Sequence, residues 1–199
     1  MTLSGASSSK EARLRSLLLS YEDAERKRGN PVPWLKTEEL RSLLETAGGE
    51  RRVILIDVRE EPERRVSILR GALSPAQIEG LLNTPTTSEN SAARNNLSTD
   101  TMLLVPYCTA GVRSAAYAKS LMAQYPQWAA CVRNGEGIIR ATYVIPEYIV
   151  DPVSGKPTSS VHAYGAKWDL AAPSFETVLF SQWERLARTL RPPGGRLHL

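Results

Sequence analysis

Cys108 stands where a nucleophile is useful. The run Cys108-Thr109-Ala110-Gly111-Val112-Arg113-Ser114 follows the apolar stretch Met102-Leu103-Leu104-Val105-Pro106-Tyr107 and precedes an Ala- and Leu-rich segment, 115–124, of helical composition. A cysteine between a buried strand and a helix start meets converging backbone N–H groups and the positive end of the helix dipole. Both stabilise an anion, so the place favours thiolate over thiol. Gly111 lets the short loop turn tightly. A thiolate there can attack an electrophile and carry the group it takes as a covalent intermediate, two easier steps in place of one. N–H groups of Thr109, Ala110, Gly111, Val112, Arg113 and Ser114 would hold the anionic group so formed, which calls for no metal or organic cofactor. Arg113 suits planar oxyanions, so it either binds an anionic donor or braces the loop. Ser114 either donates its hydroxyl to the sulfur or helps start the helix.

The segment resembles the active-site loop of the rhodanese-like sulfurtransferases. Three further landmarks follow that family's order. Ile54-Leu55-Ile56-Asp57-Val58-Arg59-Glu60 is similar to its early strand ending in Asp-Val-Arg, and Val66-Ser67-Ile68-Leu69-Arg70-Gly71-Ala72 to its Gly-Ala turn. Val132-Arg133-Asn134-Gly135-Glu136-Gly137-Ile138 is similar to its Asn-x-x-Gly-Gly-Ile segment. The resemblance implies a three-layer α/β/α fold with a mainly parallel central sheet. It also implies sulfur transfer through Cys108 from a donor such as thiosulfate, and a bracing role for Asp57 and Arg59 around the site. Arg70 departs from the family, which usually has proline or a similar residue before Gly-Ala; it either widens a basic rim or is simply exposed. Arg59, Arg70 and Arg113 are expected in loops gathered near one mouth that attracts small anions.

Two other classes stay open. Dual-specificity phosphatases share this architecture but place five residues between cysteine and arginine; here Thr109 to Val112 make four, a tighter ring. A non-catalytic module that binds a partner is the other. The extensions at both ends of the core domain leave partner binding open, and a protein is a compatible acceptor for the sulfur.

Composition narrows the field. The 199 residues carry a net charge of +4 with no arginine-rich arm, so neither nucleic acid nor a membrane surface is an expected partner. Only two cysteines, Cys108 and Cys131, fit a reducing compartment: cytoplasm, with an organellar matrix as the alternative. No Cys/His spacing suggests a metal site.

The positioning elements read as follows. A helix over 10–28 puts Leu14, Leu17, Leu18 and Tyr21 on one face, with Glu11/Arg15 and Glu22/Arg26 as i,i+4 pairs. Thr37 is expected to cap a helix through Leu40, Leu43 and Leu44. A continuous apolar strand spans 53–58, as in a central parallel strand. Ser74-Pro75 should open a short helix. Residues 83–100 are almost wholly polar and read as a surface insertion. A strand is expected over 129–132, with Cys131 as packing, then a sharp turn at Gly135 and Gly137 into a helix. The division is an N-terminal helical extension (1–33), the core domain (34–145) and a C-terminal extension (146–199). In that extension His162 and Trp168 read as packing residues. Ser174 is expected to cap a last helix carrying Phe175, Leu179, Trp183, Leu186 and Leu190, and 191–199 reads as a loose end.

Overall fold

The computed structural model describes residues 3–29, 31–46, 52–83 and 101–180. Its centre is the parallel pair β2 (Arg52–Asp57) and β4 (Met102–Tyr107), with Arg52 opposite Met102 and Asp57 opposite Tyr107. Leu73 bridges Ile56 on one side, and Val132 bridges Leu104 on the other. Just beyond Val132, β5 (Asn134–Gly135) pairs in parallel with β1 (Trp34–Leu35). β3 (Ile68–Leu69) runs antiparallel to β6 (Ile149–Val150). β7 (Ser160–Ala163) and β8 (Glu176–Leu179) form a further parallel pair.

The apolar runs make β2 and β4 central strands because consecutive side chains leave on opposite faces and both faces are covered. Leu55, Leu103 and Val105 enter one cluster with Leu14, Leu18, Leu40 and Ile138. Ile54, Ile56, Met102 and Leu104 enter the other with Ile78, Leu82, Ala118 and Leu121. The first cluster is roofed by α1 (Leu3–Lys27), α2 (Thr37–Glu45) and α6 (Ile138–Val144). The second is roofed by α4 (Pro75–Asn83) and α5 (Val112–Gln124); the short α3 (Glu61–Arg64) follows β2. The result is a three-layer α/β/α arrangement with a mainly parallel central sheet.

α4 starts where the sequence places it. Ser74 Oγ accepts from the Gln77 N–H at 3.3 Å, and Gln77 Oε1 accepts from the Ser74 N–H at 2.8 Å, a reciprocal capping box. Thr37 does not cap α2. Lys36 holds that position, and Thr37 sends its hydroxyl and its N–H to Glu136 Oε2, both at 2.9 Å. The strand expected over 129–132 is a 3₁₀ turn, Pro126–Cys131, and only Val132 touches the sheet. Cys131 is buried in that turn within the second cluster. The helix expected after Ser174 is corrected too: Glu176–Leu179 is a strand, its β-branched Thr177 and Val178 lying alongside β7. The rest of that expected helix, the loose end and the polar stretch beyond Asn83 lie outside the described residues.

α1 extends further toward the N-terminus than its periodicity suggests. Leu14 is fully buried, and the ion pairs Glu11–Arg140 (2.7 Å), Glu22–Lys36 (2.8 Å) and Glu25–Lys119 (2.6 Å) tie it to three other parts of the molecule. Leu14→Ala should therefore cost about 3 kcal/mol, as for a large-to-small change in a packed core. Urea unfolding curves measure it; a loss of only a few tenths would mean that α1 is not part of the core.

Candidate active site

The ends of β2 and β4 carry a buried polar cluster. Asp57 closes β2, and Arg59 folds back on it: Nε donates to Oδ1 at 2.9 Å and Nη2 to Oδ2 at 2.7 Å. The same guanidinium donates to the Ser67 carbonyl at 2.5 Å. Tyr107 Oη donates to Asp57 Oδ2 at 2.7 Å and accepts the Leu69 N–H at 3.0 Å. Burial works against the Arg59 charge, but the Asp57 carboxylate outweighs it and holds the guanidinium above its ordinary pKa. Burial, reinforced by Asp57, raises the Tyr107 phenol well above its usual value, so it stays a donor. The cluster binds the two strand ends to the segment through Leu69. Arg59 is 2% exposed and does not reach a mouth. Arg70 lies apart over the Tyr148 ring, donating to the Glu147 carbonyl at 3.1 Å. The basic rim expected from three arginines thus reduces to Arg113, because the other two are held by partners elsewhere.

Cys108 follows β4 directly and is 2% exposed. Its loop is held by main chain. The Ile138 and Ile139 N–H groups donate to the Cys108 and Thr109 carbonyls at 2.9 and 3.3 Å, and Asn134 Nδ2 donates to the Gly111 carbonyl at 2.9 Å. Two glycines make this approach feasible. Gly111 has φ +82°, and a Cβ there would meet the Trp34 ring. Gly137 has φ +101°, and a Cβ there would lie 2.6 Å from the Thr109 carbonyl oxygen and 2.7 Å from the Ala110 nitrogen. The first bond of α5 runs from the Ala115 N–H to the Gly111 carbonyl at 3.1 Å. The N–H groups of Val112, Arg113 and Ser114 therefore open the helix without intrahelical acceptors, the arrangement that binds anions. Ser114 Oγ lies 3.6 Å from Cys108 Sγ as a donor, so its hydroxyl faces the sulfur.

Glu63 is the residue that sequence reasoning missed. It is fully buried, and both its oxygens receive Arg113, at 2.6 and 2.8 Å. Arg113 also donates to Thr109 Oγ1 at 3.0 Å, and the Glu60 N–H donates to Glu63 Oε2 at 3.0 Å, completing the cap of α3. Burial pushes the Glu63 carboxyl up, but the Arg113 guanidinium more than compensates and leaves it below the ordinary value. In sequence Glu63 is one of three glutamates around Pro62; only its third-position spacing after Glu60 hinted at a cap.

A cavity of about 300 Å³ opens over the loop. Cys108, Thr109, Ala110, Val112 and Arg113 of the loop line it together with Tyr164 and Trp168. Gly111, packed against the Trp34 ring, and Ser114, with its hydroxyl on the sulfur, are not in the lining. Tyr164 and Trp168 come from the segment after β7. The Tyr164 ring covers the Arg113 guanidinium at 5.0 Å. Trp168, expected as mere packing, walls the cavity. His162 is buried with Nδ1 3.8 Å from Glu63 Oε1, and its ring lies 4.1 Å from that of Phe180.

Fold and site together define an α/β protein that seats a cysteine in the turn between a parallel strand and the start of a helix. No family model and no curated protein matches the chain. Among solved structures it is similar to reduced Bacillus anthracis CoADR-RHD, at 25% identity over 60% of this chain and 18% of that one, with a TM-score of 0.38. It is also similar to the BH2092 protein from Bacillus halodurans, at 19% identity over 63% of this chain and 77% of that one, with a TM-score of 0.34. The chain thus spans well under two thirds of the first of these proteins. Among the described residues, no helix is long and apolar enough to cross a membrane.

Two outcomes test this geometry. Gly137→Ala should destabilise the protein by about 2 kcal/mol or more, since a positive φ and a backbone contact are violated together; thermal unfolding reads it. Glu63 has a folded-state pKa below 4.5. Its ionised form therefore stabilises the fold above that value, and the contribution disappears as pH falls through the lowered value. Urea unfolding of Glu63→Gln and the parent should differ at neutral pH and converge as the pH drops well below 4.5.

Proposed function

We propose that this chain is a rhodanese-like sulfurtransferase that carries sulfane sulfur on Cys108. The observation that carries the reading is the loop itself: a cysteine at the floor of a cavity, ringed by helix-opening N–H groups, with a hydroxyl at 3.6 Å from its sulfur. The Cys108 thiolate attacks the outer sulfur of a donor such as thiosulfate. The new S–S bond forms as the donor's S–S bond breaks, and the electron pair leaves on sulfite. The persulfide anion rests among the loop amides, where fixed dipoles stabilise it without reorganising. A nucleophilic acceptor, a small molecule or a protein thiol, then takes the outer sulfur and returns the pair to Cys108. No oxidant enters the cycle. Thr109, Ala110, Gly111 and Val112 shape the ring by their backbone. Ser114 supports the sulfur, and Arg113, with Asp57 and Arg59 beneath, keeps the loop in place.

Phosphate transfer fits the loop less well: four residues separate Cys108 from Arg113, where the dual-specificity phosphatases place five.

Intact mass after incubation with thiosulfate, or with a polysulfide, tests the proposal. The parent and Cys131→Ser should gain one sulfur atom; Cys108→Ser should gain none and lose turnover. Turnover of an aryl phosphate with no persulfide from any donor would reverse the assignment.

A further inference from the structure

The cavity is larger and less polar than a small inorganic anion needs. Ala110, Val112, Tyr164 and Trp168 line it beside Cys108, Thr109 and Arg113. Among the described residues Arg113 is the cationic residue of the lining. Its charge is matched by the buried Glu63 carboxylate, and its face is covered by Tyr164. Two rings in the lining of a cavity that also holds the reactive cysteine instead offer stacking and apolar burial to a planar or hydrophobic body. Both rings are held from outside the loop. Tyr164 sits edge-on to Phe180 at 5.7 Å, and Trp168 lies 5.5 Å from Tyr21 of α1.

We infer that the sulfur acceptor is an organic thiol with an aromatic or apolar body, selected by Tyr164 and Trp168, rather than a small inorganic nucleophile. The inference rests on the sulfur-transfer reading of Cys108. The acceptor's thiolate attacks the outer sulfur of the Cys108 persulfide. The S–S bond to Cys108 breaks as the new one forms, the electron pair returns to Cys108, and the organic persulfide leaves with the single charge that the acceptor brought. The aromatic walls act on the first event, binding, and so raise the rate for acceptors that fill the cavity.

The test loads Cys108 with sulfur, removes excess donor, and follows discharge by thiophenol and by cyanide. On the parent protein the thiophenol rate should saturate with concentration while the cyanide rate stays linear. Trp168→Ala and Tyr164→Ala should each lower the ratio of thiophenol to cyanide rates by about tenfold, the scale of a lost aromatic contact. Because the same two nucleophiles meet both proteins, their intrinsic reactivities cancel. Trp168→Phe should restore most of the ratio. A linear thiophenol rate on the parent, or a ratio unchanged within about twofold in both alanine variants, overturns the inference and leaves sulfur transfer standing. Failure of any donor to load Cys108 overturns both.

Discussion

The site depends on one buried charge. Arg113 sits in the first turn of α5, where the helix dipole disfavours a cation. An unpaired guanidinium there would compete with the loop amides for any anion and would pull at the turn. The Glu63 carboxylate cancels that charge from beneath, at 2.6 and 2.8 Å, and the pair leaves the amides as the positive element facing the sulfur. The carboxylate is itself fixed by the Glu60 N–H, so α3, four residues long, exists largely to present it. The carboxylate is fully buried while the guanidinium is 34% exposed, so the pair adds little net stability but losing Arg113 strands a buried charge. Its value lies in where it holds the loop.

The parts of the chain outside the central sheet are not ornaments to this arrangement. α1 lies over the first apolar cluster, and its Glu11 meets Arg140 of α6, the helix whose first N–H groups hold the Cys108 and Thr109 carbonyls. β7 brings His162 to Glu63, and the segment after it brings the two rings to the cavity. Tyr21 of α1 touches Trp168. α1 and the segment after β7 thus meet behind one wall of the site.

Much of this could be read from the residues in order. The apolar runs of β2 and β4, the loop after Tyr107, the Ser74-Pro75 start and the glycine at 137 each depend on local chemistry, and each falls where that chemistry puts it; Gly135, expected in the turn, lies instead in β5 opposite Leu35. What escaped reading depended on distant partners. The stretch 129–132 is short and apolar, a pattern that strand and buried turn share, and Pro126 starts a 3₁₀ turn that consumes most of it. Phe175 and Leu179 are spaced as in a helix, yet the intervening residues pair with β7, a choice no local window contains. Thr37 is a good cap by type, but Glu136, remote in sequence, claims its hydroxyl. Glu63, Tyr164 and Trp168 look like an ordinary acidic residue and ordinary packing rings until the fold sets them around Cys108.

The contact between Gly137 and the Thr109–Ala110 peptide has an implication for redesign. The cradle's position is set by main chain lying on main chain, with no side chain between to act as a shim. Residues 110 and 112, which line the cavity, are therefore open to replacement as a palette for new specificity while the amide ring keeps its shape. Positions 111 and 137 admit no such choice, and Thr109 is held by Arg113, so a library that spares those three and varies the other two would sample chemistry without sampling geometry.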